Sequence, residues 1–182
     1  MKRLVGGRAI AAMTITIAFL ASPGRVAAAA PQSGAPGQPA PAVRLSSADG
    51  SVLSLADLKG RVVLVDFWAS WCAPCRRSFP ALDRLYVNLK SRGFEVIAVN
   101  LDERRQDAVD FLVARPHETT VVFDPEGASA RAFGLAGMPT SFLIDREGRI
   151  RFVHVGYTDK VLDAYRREIE QLLTEPSAEG NR

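Results

Sequence analysis

Hydrophobic positions along this chain follow two different periods. Residues 62–67 are apolar at every place but Asp66, a short unbroken run of the kind a strand buried on both faces shows. Beyond Trp68 to Pro74, the residues Phe79, Leu82, Tyr86 and Leu89 recur at helical spacing until Gly93 stops them. This predicts a helix whose N-terminus lies beside Cys72. Residues 94–100 read as a second buried strand. Val109, Leu112 and Val113 mark a helix before Pro116, residues 121–123 a short strand, and residues 128–133 a helix that Gly134 ends. Residues 140–144 and 150–155 are strands joined across Asp145-Arg146-Glu147-Gly148-Arg149, which reads as an antiparallel hairpin. Val161, Leu162, Tyr165, Ile169, Leu172 and Leu173 form the apolar face of a closing helix. At the front, residues 43–45 and 51–53 flank Asp49-Gly50, a pair suited to a tight turn, and Ser54 is placed to cap a short helical turn that Gly60 ends. Strands alternating with helices and closing in a hairpin plus helix define an α/β domain, a mixed central β-sheet flanked by helices.

Composition bounds this domain. The chain has 182 residues, 47% apolar and 24% charged, with a formal charge of +3. That suits one globular core and excludes collagen-like, coiled-coil and wholly disordered chains. The positive balance comes from residues 1–30, which hold Lys2, Arg3, Arg8 and Arg25 and no acid, leaving 19 basic against 20 acidic residues in the remainder. Nothing in that balance points to a nucleic-acid partner. Lys2, Arg3 and Arg8 precede an uncharged stretch at 9–22, followed by Pro23, Gly24 and an alanine run to Ala30, the order of a secretory signal peptide. The stretch is shorter than the roughly 17 to 25 residues of a membrane span, although uncleaved it would serve as an anchor. A cut is expected between Ala28 and Ala30, and no cysteine lies near it for lipid attachment. Residues 31–41, with four prolines and no charge, are expected to be a flexible tether. The folded domain is expected at 42–173 and a frayed tail at 174–182. Export would place the two cysteines in an oxidising compartment.

Those cysteines, Cys72 and Cys75, carry the chemistry. Two residues separate them at a strand-to-helix junction. As a structural staple the pair would be poor, because so short a loop contributes only about 2 kcal/mol in the chain-entropy model. As a redox couple the placement is productive, since the unpaired N–H groups and partial positive charge of a helix N-terminus favour a thiolate at Cys72. A tetrahedral metal site would need two further ligands, and neither His117 nor His154 has ligand spacing to the cysteines. No metal is therefore expected; both histidines read as ordinary surface or sheet-face residues. Asp66 is a carboxylate in an apolar strand, on the same face as Leu64 and Trp68 by alternation. A buried acid there has a raised pKa and is either satisfied structurally or poised to accept a proton. Arg76 and Arg77 read as a solvated helix face, and Asp102, Glu103, Arg104, Arg105 and Asp107 as an exposed mixed-charge helix start.

The segment Val65-Asp66-Phe67-Trp68-Ala69-Ser70-Trp71-Cys72-Ala73-Pro74-Cys75 resembles the active-site segment of thioredoxin, and Gly137-Met138-Pro139-Thr140 resembles the cis-proline loop of that family. With the leader, the opening N-terminal β-hairpin, the central strand-helix insertion at 100–121 and the hairpin at Phe142 to Gly148, the chain is similar to the TlpA/ResA group of exported thiol-disulfide oxidoreductases. The resemblance implies a thioredoxin-like fold with no cofactor beyond a redox-active Cys72–Cys75 disulfide. It implies Cys72 as nucleophile, Cys75 as resolving thiol, Asp66 as proton acceptor, and Trp71, Met138 and a cis Pro139 as substrate-binding surface. Relatives in the group often carry a glutamate three residues after the second cysteine, where this chain has Ser78. Implied partners are protein disulfide substrates in cytochrome c maturation or copper-oxidase assembly and a transmembrane electron donor, with the protein itself a monomer in the periplasm. An oxidant or isomerase, or a redox-inert copper carrier using the cysteine pair, are the alternatives.

Overall fold

The computed structural model describes residues 34–47 and 49–176. The expected leader at 1–30 and most of the expected tail lie outside the described residues. Strands β1 (Arg44–Ser47) and β2 (Val52–Ser54) form the opening hairpin, and Ser54 caps the short 3-10 turn Leu55–Leu58 through the Ala56 N–H. There follow β3 (Val62–Trp68), α1 (Ala73–Leu89), β4 (Phe94–Asn100), α2 (Arg105–Val113), β5 (Thr120–Phe123), α3 (Ala128–Ala132), β6 (Thr140–Ile144), β7 (Ile150–Val155) and α4 (Asp159–Thr174). The strands make one seven-stranded sheet in the order β2-β1-β5-β4-β3-β6-β7. β3, β4 and β5 are parallel, while β1, β6 and β7 run antiparallel to their neighbours.

The central strands β3 and β4 are buried at every position, as their continuous apolar runs require. Alternation then sorts the side chains. Val63, Val65 and Phe67 face one way, into a core with Ile97, Val99, Phe133 and Phe142. Val62 and Leu64 face the other way, against Leu82 and Leu85 of α1 and Tyr165, Ile169 and Leu172 of α4. At the C-terminal end of β3 that second face continues into a third cluster, where Trp68, Phe79, Ala98, Phe111 and Val121 surround both cysteines.

Three features depart from the sequence pattern. α2 buries Ala108 and Phe111 and leaves Val113 exposed, because Phe111 is drawn into an aromatic group with Trp68 and Phe79 at centroid distances of 5.1 and 5.8 Å. The described end of the expected tether is bound to the domain. The Gly37 N–H donates to the Ile150 carbonyl, the Ile150 N–H to the Gln38 carbonyl and the Ala40 N–H to the Gly148 carbonyl. Gly34, at φ +93°, approaches so closely that a Cβ there would lie 1.9 Å from the Phe133 carbonyl oxygen. At the other end Glu175, placed in the expected tail, pairs with Arg151 at 2.7 Å and accepts Arg146 at its carbonyl.

Candidate active site

β3 ends at Trp68, and a short loop carries the chain to α1. Cys72 is the N-cap of that helix: its backbone is extended and its sulfur accepts the Cys75 N–H at 3.3 Å, taking up one donor the helix cannot satisfy internally. Pro74 falls in the first turn, where its missing N–H costs nothing. The two cysteines are joined as a disulfide, with Cα atoms 5.2 Å apart. They are unequal in access: Cys72 is 6% exposed and Cys75 0%, while the neighbouring Trp71 is 67% exposed.

The loop is held from β4 by residues that the charge pattern misplaces. Asp102 is buried rather than part of an exposed helix start. Its carboxylate accepts the Ser70 N–H and the Ser70 hydroxyl, both at 3.0 Å, and the Asn100 side-chain amide at 2.8 Å. The Asn100 side-chain oxygen in turn accepts the Asp102 N–H. The available sequence signal was the pair of Asx residues at 100 and 102, at and just past the end of a buried strand that neighbours β3.

Asp66 lies where alternation puts it, 1% exposed, and neither carboxylate oxygen meets a hydrogen-bond partner among the described residues. Burial pushes its pKa up to about 8. Its register partner on β4, Ala98, packs in the cluster that holds both cysteines. Met138 packs against the same cluster, and the Met138–Pro139 peptide is cis. The Pro139 carbonyl accepts the Gly156 N–H at 2.7 Å, and the Gly137 carbonyl accepts the Thr140 hydroxyl at 2.7 Å. Ser78 is buried in α1, its hydroxyl donating to the Cys75 carbonyl at 3.1 Å. The histidines stand apart from the sulfurs in their bonding. His117 contacts the Arg115 carbonyl through Nδ1 and the Phe79 ring, and His154 contacts Glu168. Among the described residues no group of three or more His, Cys, Asp or Glu side chains is assembled as a metal site would be.

A disulfide at the head of a helix, above a buried acid and beside a cis-proline loop, is an arrangement for thiol exchange. The Redoxin family profile matches residues 35–173. The chain belongs to the Redoxin family. It is 34% identical over 130 residues, 71% of this chain and 73% of the relative, to the thiol-disulfide oxidoreductase ResA of Bacillus subtilis. It is 32% identical over 134 residues to ResA of Bacillus thuringiensis. A solved structure from Chlorobium tepidum, provisionally described as thiol:disulfide interchange protein DsbE, matches with a TM-score of 0.74 at 46% identity, covering 78% of this chain and 99% of that one. This Redoxin-family chain is thus a thiol-disulfide oxidoreductase with the thioredoxin-like fold of the TlpA/ResA group.

Proposed function

We propose that this oxidoreductase is exported and acts there as a monomeric reductant of disulfides in client proteins. The clients are cysteine pairs awaiting haem attachment in cytochrome c maturation or copper loading in oxidase assembly. A donor that passes electrons across the membrane keeps the Cys72–Cys75 pair reduced. Export rests on the basic, apolar and alanine-rich order of residues 1–30. The need for a donor follows from it, because an oxidising compartment would otherwise hold the pair as the disulfide.

The observation that carries the mechanism is the asymmetry of the two sulfurs. Cys72 caps α1 beside exposed Trp71, and Cys75 is wholly enclosed. Cys72 is therefore the nucleophile: its thiolate attacks a client disulfide and forms a mixed disulfide, releasing one client thiolate. Cys75 then loses its proton to the Asp66 carboxylate and attacks Cys72, so that the Cys72–client bond breaks and the client leaves fully reduced. Burial raises the Asp66 pKa to about 8 and so keeps most of it protonated at neutral pH; its ionised fraction is a base strong enough to take that proton. Trp71 and the Met138–Pro139 loop form the docking surface, where an extended client segment lies beside the sulfurs.

The test is trapping. Cys75→Ser, incubated with a disulfide-bonded client peptide, is expected to accumulate a mixed disulfide through Cys72, and Cys72→Ser to accumulate none. The reverse pattern would exchange the two roles.

A further inference from the structure

Under the row of strands that holds Asp66 lies a second polar feature that the exchange reaction leaves unused. Register aligns Ala98 on β4, Asp66 on β3, Ser141 on β6 and His154 on β7 in one line across the sheet. Directly paired residues point to the same face, and neighbouring strands lie about 4.8 Å apart, so each side chain neighbours the one before it, although the Ser141 hydroxyl bonds Tyr165 and not the Asp66 carboxyl. The adjoining positions on that face, Leu64 and Leu143, belong to the apolar core under α4. α4 lays Tyr165 over the line. The Tyr165 hydroxyl is hydrogen-bonded to Ser141, and its ring meets the His154 ring edge-on at a centroid distance of 5.0 Å. One turn later Glu168 takes His154 Nε2 at 2.6 Å. Burial falls along the line: Asp66, Ser141 and Tyr165 are sealed, whereas the side chains of His154 and Glu168 are 16% and 17% exposed. Toward β4 the line ends at an alanine, so among the described residues its polar side chains run from Asp66 toward the sheet edge.

We propose that Ser141, Tyr165, His154 and Glu168 are positioning residues that connect buried Asp66 to solvent and carry outward the proton it must lose before it can accept that of Cys75. This rests on the reading of Asp66 as proton acceptor. Resolution joins Cys72 to Cys75 and passes the Cys75 proton to Asp66, the two client thiolates draw their protons from solvent, and Cys75 takes a proton back when the pair is reduced again. Burial keeps Asp66 mostly protonated near neutral pH, so it must first lose its own proton to solvent before it can accept that of Cys75. A Ser–Tyr hydroxyl pair uses one of its two hydrogens internally and keeps the other free to turn toward a neighbouring carboxylate. Burial and the charges of Asp66 and Glu168, with Tyr157 beside them, keep the Tyr165 phenol protonated and able to donate. On the α1 side the Ser78 hydroxyl is engaged with the Cys75 carbonyl. The β6–β7 side is therefore the open one.

The two halves of the reaction separate when the reduced full chain is mixed with excess dithiobis-nitrobenzoate. Attack by Cys72 releases the first thionitrobenzoate, and the second, first-order release reports resolution by Cys75. In weak buffer near neutral pH, Ser141→Ala and His154→Gln are expected to slow the second release by about tenfold, within the range open to a positioned proton-transfer group. The first release should be unchanged. Ser141→Thr, which keeps the hydroxyl, should retain the wild-type rate. Added imidazole should restore His154→Gln, whose defect lies at the partly exposed end, and leave Ser141→Ala slow. Asp66→Asn is measured alongside. If it slows the second release while the Ser141 and His154 variants run at the wild-type rate across the pH range, the outlet is overturned and the acceptor stands. If Asp66→Asn is itself unaffected, the acceptor reading and the outlet both fall. Should Ser141→Ala not fold, the imidazole response of His154→Gln decides: slowing that imidazole leaves unrelieved overturns the proposal.

Discussion

The Asp102 carboxylate holds Ser70 by its backbone N–H and its hydroxyl at once, two residues before Cys72. A carboxylate thus fixes the loop that leads to Cys72 from outside the helix that Cys72 caps. Hydrogen bonds to charged groups are each worth about 1.5 to 3 kcal/mol, and a buried donor left unsatisfied costs a similar amount.

Asp102→Ala is accordingly expected to lower stability by about 2 to 3 kcal/mol. It should also slow attack by Cys72 on small disulfides, because Ser70 and Trp71 are no longer anchored. Urea unfolding and the rate of thionitrobenzoate release check the two effects separately. A variant with wild-type stability would show that Ser70 finds another partner.

Trp71 leads to a different expectation. At 67% exposed it contributes little to the core, so Trp71→Ala should change stability by no more than about 0.5 kcal/mol. Its ring offers a large apolar contact for a docking polypeptide. The variant should therefore reduce a small disulfide such as glutathione disulfide at the wild-type rate and show a raised KM for a protein client. Equal losses on both substrates would place Trp71 in the chemistry of Cys72 instead.

Asp66 makes a prediction about pH. Its carboxyl titrates at about 8 in the folded protein, against about 3.9 in an unfolded chain. The folded state then holds a proton that the unfolded state has lost, so this group's contribution is fully present below about pH 4 and is lost as pH rises through about 8. The slope in between is at most about 1.4 kcal/mol per pH unit. Asp66→Asn removes it. Plotted against pH, the stability of the variant relative to wild type should climb from about pH 4 and level off above about pH 8. Glu95, whose pKa burial also raises, is present in both proteins and cancels in the difference. Parallel curves would mean that Asp66 is already charged in the folded protein at neutral pH.

Local pattern revealed the elements whose signals are local. Asp49-Gly50 gave away the first hairpin, the continuous runs marked β3 and β4, and a 3.6-residue period bounded α1 and α4. Cys72 at a helix start and Asp66 on the Trp68 face followed from the same reasoning. What the pattern misplaced depends on partners distant in sequence. The buried face of α2 is chosen by an aromatic group drawn from β3, α1 and α2. Asp102 is buried because β4 happens to end beside the loop after β3. Residues 34–41 look unable to bury a core, yet their backbone pairs with the edge of β7, a role that composition does not report. The line from Asp66 to His154 exists only once β6 and β7 have their register, which shifts by a bulge between Leu143 and Ile144.

The direction of electron flow is the central claim, and the reduction potential of the Cys72–Cys75 pair tests it most directly. Ala73 and Pro74 place no charge between the sulfurs, and the Cys72 thiolate is favoured by the helix N-terminus with no histidine or lysine in the first turn. Modest thiolate stabilisation leaves the dithiol a good reductant. Equilibrating the protein in dithiothreitol or glutathione buffers and counting free thiols should give a midpoint near that of thioredoxin, about −270 mV. A midpoint above about −160 mV, approaching the roughly −120 mV of a strong oxidant, would contradict the account and make this protein a donor of disulfides rather than of electrons.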